Sequence, residues 1–486
     1  MDTFANSVKS QTIRLDGLDT RSTWDTFMPP AILQDAFYRT LLDFPVFAAR
    51  LKVGADGHML AEIDKYNLNM PVYSDEYCEI DYQELRDAGF DTAKMNTNII
   101  KDACLVPVPS KATGGELKLA TVRILRFKDY SGVLVFSNLS HAIVDGHGQC
   151  AFMNRWSEIS KALQQPSSGS ITLNFSEGRY KHDRSIHASY KCEGTDELDP
   201  SMCKELSTPT YFSRWIAWIS PNSRGRLLRA VASMHPPKRY YFQIGIQTVE
   251  SLRLAAQDYD AGHNVRYSHN DIITALATAA VAQAMQKQKA DQERRTALPA
   301  LYRMCGIGST AKPEDMLVSF AVNLRQRIET PDPQDYMGNM VVSRQVQIPL
   351  EALQGGVTPK VLAAVASGVR QSVAGMSKRS IGQYCTLLNR SADTCMRALV
   401  YSSTSKYRVF VSNITRVCYY ATDFGAGIPN LVRFGTLASS NMVFVLPCHP
   451  ASNAYEFSMM VTPDIGHNIL QNKSWMQLVD KYSADM

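Results

Sequence analysis

The sequence predicts an α/β fold with mixed sheets, divided into two domains. Three observations lead there. At 486 residues the chain exceeds what one ordinary core encloses and suits two domains of roughly 200 to 250 residues each. Alternating or continuous short apolar runs, read as strands, are interspersed with stretches whose apolar residues recur at helical spacing. Between residues 164 and 200 the chain turns polar and loses its periodicity, as a surface crossing would. The first domain is therefore placed at 1–200 and the second at 225–486.

Taken in order, residues 24–52 hold Ile32, Leu33, Phe37, Leu41 and Leu42 at helical spacing before a proline break, which predicts an amphipathic helix against the first core. Residues 117–127 alternate and 132–137 form a short apolar run, so these are expected as neighbouring strands. Phe152, Trp156 and Ile159 then keep helical spacing over 148–163. The intervening turn links strand to helix and exposes side chains at a sheet edge. A strand is expected over 240–249. An Ala-rich buried helix over 268–284 opens on the N-cap candidate Ser268. Further strands are expected at 319–327, 407–412, 442–446 and 455–461, with a helix near 358–375.

Composition removes several classes. With 45% hydrophobic and 20% charged residues the chain is unlike a disordered one. A net charge of +5 with no Lys/Arg block implies no nucleic-acid partner, although a few placed cations still suffice to hold one phosphorylated small molecule. The N-terminus lacks an apolar h-region and no run of about 18 apolar residues occurs, so a soluble cytoplasmic protein without membrane attachment is expected. Ten cysteines are scattered without a CxxC pair; no metal site or disulfide framework is expected.

Chemistry concentrates in SNLSHAIVDGHGQC, where His141 and Asp145 stand four apart across a turn of small residues. A neutral imidazole there can take a proton from an alcohol, because its pKa lies near working pH. Asp145 either fixes the ring's surroundings or braces the turn by pairing with a distant arginine; bracing is favoured, since the spacing does not make the two touch. His147 is a reserve imidazole, more simply a hydrogen-bonded loop residue. A second string, ATDFGAGIPNLVRF, places Asp423, Gly425 and Gly427 late in the chain.

Together the two strings resemble the BAHD acyltransferase family, marked by an HxxxDG turn mid-way (His141, Asp145, Gly146) and a DFGxG loop near the C-terminus. The resemblance extends to LLDFPVFAARLK, SHNDIITALATAAVAQA, VNLRQRIETPDPQDYMGN and SNITR, and the looser DFGxG form is similar to fungal secondary-metabolite members. It implies two chloramphenicol-acetyltransferase-like domains with a tunnel between them. No cofactor is bound permanently. Acyl-CoA, by default acetyl-CoA, enters one mouth as co-substrate and a small-molecule hydroxyl or amine the other. His141 is the general base midway, without a covalent acyl-enzyme. A monomer is expected.

By the same resemblance an oxyanion donor belongs near Ser412 to Arg416, where relatives often carry an indole and this chain has Ile414. Ser412, Asn413, Thr415 or backbone N–H groups must take that role. Ala426 likewise replaces a family tryptophan, and Asp423 reads as a clamp on its own loop. Tyr336 to Asn339 match the family's YxGN step, a turn near the cleft. Ser268 is expected near the pantetheine and nucleotide end, or as a plain N-cap. Arg325 and Arg327, two apart on an expected strand, point to one face, so Asp145 and Asp423 are each expected to bond one of them and draw both motif loops onto the second domain's sheet.

Two rivals use the same fold. A stand-alone condensation domain takes its acyl group from a carrier protein, but usually shows a doubled histidine where Ser140 precedes His141. A non-transferring cyclase or binding protein would survive loss of His141.

Overall fold

A computed structural model of the chain describes residues 8–14, 28–53, 59–79, 81–87, 118–127, 132–164, 180–183, 237–263, 265–295, 314–327, 333–390, 407–434 and 441–484. Most of the expected crossing at 164–200 lies outside them. Two sheets organise these residues. The first runs β11 (Pro429–Phe434), β1 (Val8–Arg14), β6 (Gly132–Leu139), β5 (Ala120–Phe127), β4 (Val72–Cys78), antiparallel except between β4 and β5. A ribbon of β2 (Arg50–Val53) and β3 (Met59–Glu62) stands apart. The second sheet runs β14 (Lys481–Ala484), β7 (Lys238–Gly245), β13 (Ala454–Val461), β12 (Met442–Val445), β10 (Arg408–Asn413), β8 (Asp315–Asn323), β9 (Val341–Pro349), with β10 parallel to both neighbours. The α/β class with mixed sheets holds.

The long helices cover one face of each sheet. On the first, α1 (Pro30–Asp43) and α3 (Gly146–Gln164) bury Leu33, Phe37, Phe152 and Trp156 against Val122, Val133 and Val135. The Trp156 indole donates to the Leu33 carbonyl at 2.9 Å, so its one polar atom is satisfied inside the core. The short α2 (Tyr82–Asp87) packs on the opposite face of the first sheet, in a smaller cluster with Phe127 and Phe136. On the second sheet, α4 (Ile246–Tyr259), α5 (His269–Arg295) and α6 (Pro359–Ala374) close a core that includes Phe242, Val318, Val411, Val443 and Phe457. α5 is Ala-rich because it is buried on nearly every side, which large side chains would prevent.

Several placements differ from expectation. The strand over 240–249 ends at Gly245, and 246–249 begin α4. The strand expected at 319–327 is Asp315–Asn323, because Arg327 N–H bonds the Leu324 carbonyl at 2.7 Å and turns the chain. α3 begins two residues before 148, where Asp145 caps it. β11, from the part of the chain assigned to the second domain, adds to the edge of the first sheet.

That crossing ties the layers together. Arg433 of β11 forms a two-pronged ion pair with Glu456 of β13 at 2.8 and 2.9 Å and lies over the Tyr241 ring of β7 at 4.7 Å. The faces carrying Arg433 and Tyr241 therefore look at one another.

Candidate active site

β6 ends at Leu139 and delivers the chain into a tight turn. Ser140 N–H bonds the carbonyl of Leu119, just before β5, at 3.1 Å, and the Ser140 carbonyl accepts from Ile143 at 3.0 Å and Val144 at 3.2 Å. Ile143, Val144 and Asp145 are buried; His141 and Ala142 are exposed. The turn is thus pinned from below and presents His141 outward. The Asn339 side chain reaches from the other half of the chain and donates to the His141 carbonyl at 2.8 Å.

Asp145 does not touch His141's ring. Oδ1 accepts from the N–H groups of His147 at 3.1 Å and Gly148 at 3.2 Å, capping α3, while Oδ2 accepts Met340 N–H at 2.9 Å. Both oxygens accept from Arg325, at 2.7 and 3.1 Å. The two side chains are 1% and 0% exposed, and Arg325 also donates to the carbonyls of Tyr336 and Gly338 at 2.9 Å each. Burial alone would raise the Asp145 carboxyl, but the Arg325 charge, its hydrogen bonds and those of Met340 and Gly148 outweigh it and hold the pKa below its ordinary value. Bracing, rather than ring orientation, is the geometry found. His147 is pushed below its ordinary value by burial and the Arg325 charge, and bonds the Gln334 carbonyl at 2.7 Å.

The expectation for Arg327 and Asp423 is corrected. Arg325 and Arg327 lie in the turn after β8, where no strand alternation sends them to one face. Asp423 instead pairs with Lys161 on α3, and its Oδ1 accepts Gly425 N–H at 2.8 Å and Gly427 N–H at 2.9 Å. Both glycines stand at positive φ, +98° and +92°. Phe424 is buried edge-on to Trp156 at 4.7 Å, and its carbonyl accepts Gln164 at 2.6 Å. The DFGxG loop is therefore bound to the first layer and not drawn onto the second sheet. Asp423 clamps its own loop, as expected of it; Lys161 lies 15 residues beyond Gly146, ~22 Å along α3.

Among the oxyanion candidates, Asn413 spends one of its two amide hydrogens: Nδ2 donates to Asn270 at 2.9 Å, and Oδ1 accepts Thr415 Oγ1 at 2.7 Å. Thr415's proton is thereby committed too. Ser412 lies in a cross-strand row with Phe444, Ser458 and Tyr241, on the face that looks at the first sheet, and no described residue bonds its hydroxyl. Ile414 N–H bonds the Val445 carbonyl at 3.0 Å. Of the named hydroxyls, Ser412 alone keeps a free donor.

Ser268 is the N-cap of α5 in a reciprocal box with Asp271, at 2.7 Å from its N–H and 2.8 Å from its hydroxyl, and Arg370 bonds both residues. It also lines a pocket of about 480 Å³ with Glu250, Arg253, Arg266, His269 and Arg370. A second pocket of about 320 Å³ includes Thr415, Arg416, Val417 and Cys448 in its wall. The gap between Asn413 and Asn270 is bridged by their hydrogen bond. Val417, in the wall of the second pocket, and the Tyr419 hydroxyl each come within 3.8 Å of where a Cβ on Gly146 would sit, at the start of α3.

Sequence reading missed Gly148 and Lys161. A Cβ on Gly148 would come 2.2 Å from the Met337 carbonyl oxygen, so the halves meet there backbone to backbone. The GHG run after Asp145 was the available signal; Lys161 gave none. Among the described residues no His/Cys/Asp/Glu cluster suits a metal, and no helix is long and apolar enough to cross a membrane.

Residues 230–462 match the Transferase family. The O-acetyltransferase pboB of Aspergillus ustus is 25% identical over 166 residues, an alignment spanning 33% of each protein. F. graminearum TRI101 complexed with ethyl coenzyme A superposes with a TM-score of 0.71 at 13% identity, covering 98% of this chain and 95% of that one. F. sporotrichioides TRI101 complexed with coenzyme A and T-2 gives 0.70 at 15%, covering 99% and 96%. At such identities the likeness speaks for the fold, and it is the two-domain acyltransferase fold that the motifs implied.

Proposed function

We propose that this chain, whose residues 230–462 belong to the Transferase family, moves an acyl group from coenzyme A to a hydroxyl or amine of a small molecule, with His141 as general base. The observation that carries the reading is the His141 turn: exposed at its tip, and fixed from beneath by Asp145 and Arg325, which join the two halves of the chain. A base held this way meets two reactants without reorganising.

The acceptor loses its proton to His141 as its oxygen or nitrogen attacks the thioester carbonyl. The tetrahedral oxyanion takes a hydrogen bond, for which the free Ser412 hydroxyl is suited. Collapse breaks the C–S bond, and the departing thiolate receives the proton from His141, so no acyl-enzyme forms. Arg253, Arg266 and Arg370 around the Ser268 pocket suit the phosphates of coenzyme A, and the pocket beside Thr415 suits the arm that leads to the reacting carbon. Acetyl-CoA and an oxygenated secondary metabolite are the first pair to test, guided by pboB and by the T-2 complex of TRI101. A cytoplasmic monomer belongs to the same proposal.

Incubating the protein with a panel of acyl-CoAs and fungal metabolite extract, then following free thiol and a mass gain, tests it. Transfer from free acetyl-CoA that His141→Ala abolishes is expected. Transfer only from a carrier-bound donor, or turnover indifferent to His141, would overturn it.

A further inference from the structure

We infer that Asn339 reads a hydrogen-bond donor on a substrate bound at His141, its amide nitrogen holding the catalytic turn while its amide oxygen receives an N–H or O–H. This rests on the acyl-transfer reading above and assigns a specificity residue to it. Asn339 Nδ2 lies 2.8 Å from the His141 carbonyl oxygen, and only the nitrogen end of the amide can donate to a carbonyl. The contact therefore fixes the orientation: turned over, the amide would set oxygen against oxygen. Oδ1 is left as the free end, shut from solvent and with no hydrogen-bond partner among the described residues.

A buried acceptor left unpaired is costly, and such groups in folded proteins mark a ligand or an ordered water. The position is not accidental. Met340, the next residue, gives its N–H to Asp145, so the segment that carries Asn339 is locked to the catalytic turn through two adjacent residues. Nor is the free oxygen alone. Ser140, beside His141, has a buried hydroxyl without partner, and Asn138, 4% exposed, has both amide ends unpartnered. By strand register Asn138 lies on the face of the first sheet that carries Arg433 and looks at the second. Unsatisfied polar atoms thus gather where the two reactants would meet.

Two groups can supply the donor: an amide N–H of the pantetheine arm, or the O–H or N–H of the acceptor, for which water stands in during slow thioester hydrolysis. Three variants, His141→Ala, Asn339→Leu and Asn339→Asp, separate these. Leucine keeps the size and removes both polar ends; aspartate keeps an acceptor oxygen and removes the donor to His141. Thiol release from acetyl-CoA into water and the acetyl-CoA dissociation constant by calorimetry are measured for each.

A pantetheine donor predicts that Asn339→Leu weakens acetyl-CoA binding about tenfold while Asn339→Asp binds as wild type. An acceptor donor predicts unchanged binding in both, with thiol release falling about tenfold or more in Asn339→Leu and distinctly less in Asn339→Asp. Binding and release both within twofold of wild type in Asn339→Leu, or equal losses of release in the two variants at unchanged binding, overturn the inference. Wild-type release no faster than that of His141→Ala defeats the acyl-transfer reading itself and the inference with it.

Discussion

Arg325 closes on Asp145 with both of its terminal nitrogens, and the pair, 180 residues apart in sequence, is sealed from solvent directly beneath the His141 turn. One contact caps α3, anchors the loop after β8 and fixes the His141 turn. The Lys161 and Asp423 pair makes the useful contrast, since it holds a different motif loop at 49% and 24% exposure.

Removing one partner of the buried pair leaves an unpaired charge in the core. Arg325→Met is expected to destabilise the protein by ~3–5 kcal/mol, whereas Lys161→Met costs about 0–1 kcal/mol because water screens the exposed pair. Urea denaturation compares them, and equal losses would contradict the burial argument.

The carboxyl of Asp145 is held below its ordinary value of 3.8, so the folded state binds its proton more weakly than the unfolded chain does. Its contribution is fully present above the ordinary carboxylate range and is lost as pH falls through 3.8 and then through the depressed folded value. Asp145→Asn should flatten the acid limb of a stability profile; a limb of unchanged steepness would assign acid unfolding to other groups.

His141 has no structural duty for its ring among the described residues, since its anchoring contact is through the backbone carbonyl. His141→Ala is expected to lower turnover by roughly a hundredfold or more, with circular dichroism and melting temperature close to wild type. A large loss of stability would recast the ring as structural.

Gly148 and Gly146 separate close approach from mere helix position. A methyl at 148 collides with the Met337 carbonyl oxygen at 2.2 Å, and one at 146 meets nothing nearer than 3.8 Å. Gly148→Ala should therefore cost ~1–3 kcal/mol by overpacking, and Gly146→Ala little. Thermal melts of the pair decide it.

Phe424 fills the first core against Trp156 although it comes from the far end of the chain. Phe424→Ala is expected to cost ~3–5 kcal/mol. Urea denaturation measures the loss, and a change below about 1 kcal/mol would contradict the core placement.

Read from sequence alone, the α/β class, the helix over Phe152 to Ile159, the β10 and β13 strands and the His141 turn were all legible, because periodicity and turn chemistry are local properties of the backbone. The bracing role of Asp145 and its arginine partner were legible too, since a carboxylate that cannot reach its neighbouring ring needs a cation. Tertiary structure decided what depends on residues meeting at long range. It gave Asp423 to Lys161 rather than Arg327, and β11 to the first sheet. It set the Gly148 backbone against Met337, and it took up the Thr415 hydroxyl while leaving the Ser412 hydroxyl and the Asn339 oxygen free among the described residues. Charge and hydrogen-bonding capacity are written in the residue type, but which capacity is spent depends on distances that no spacing along the chain encodes.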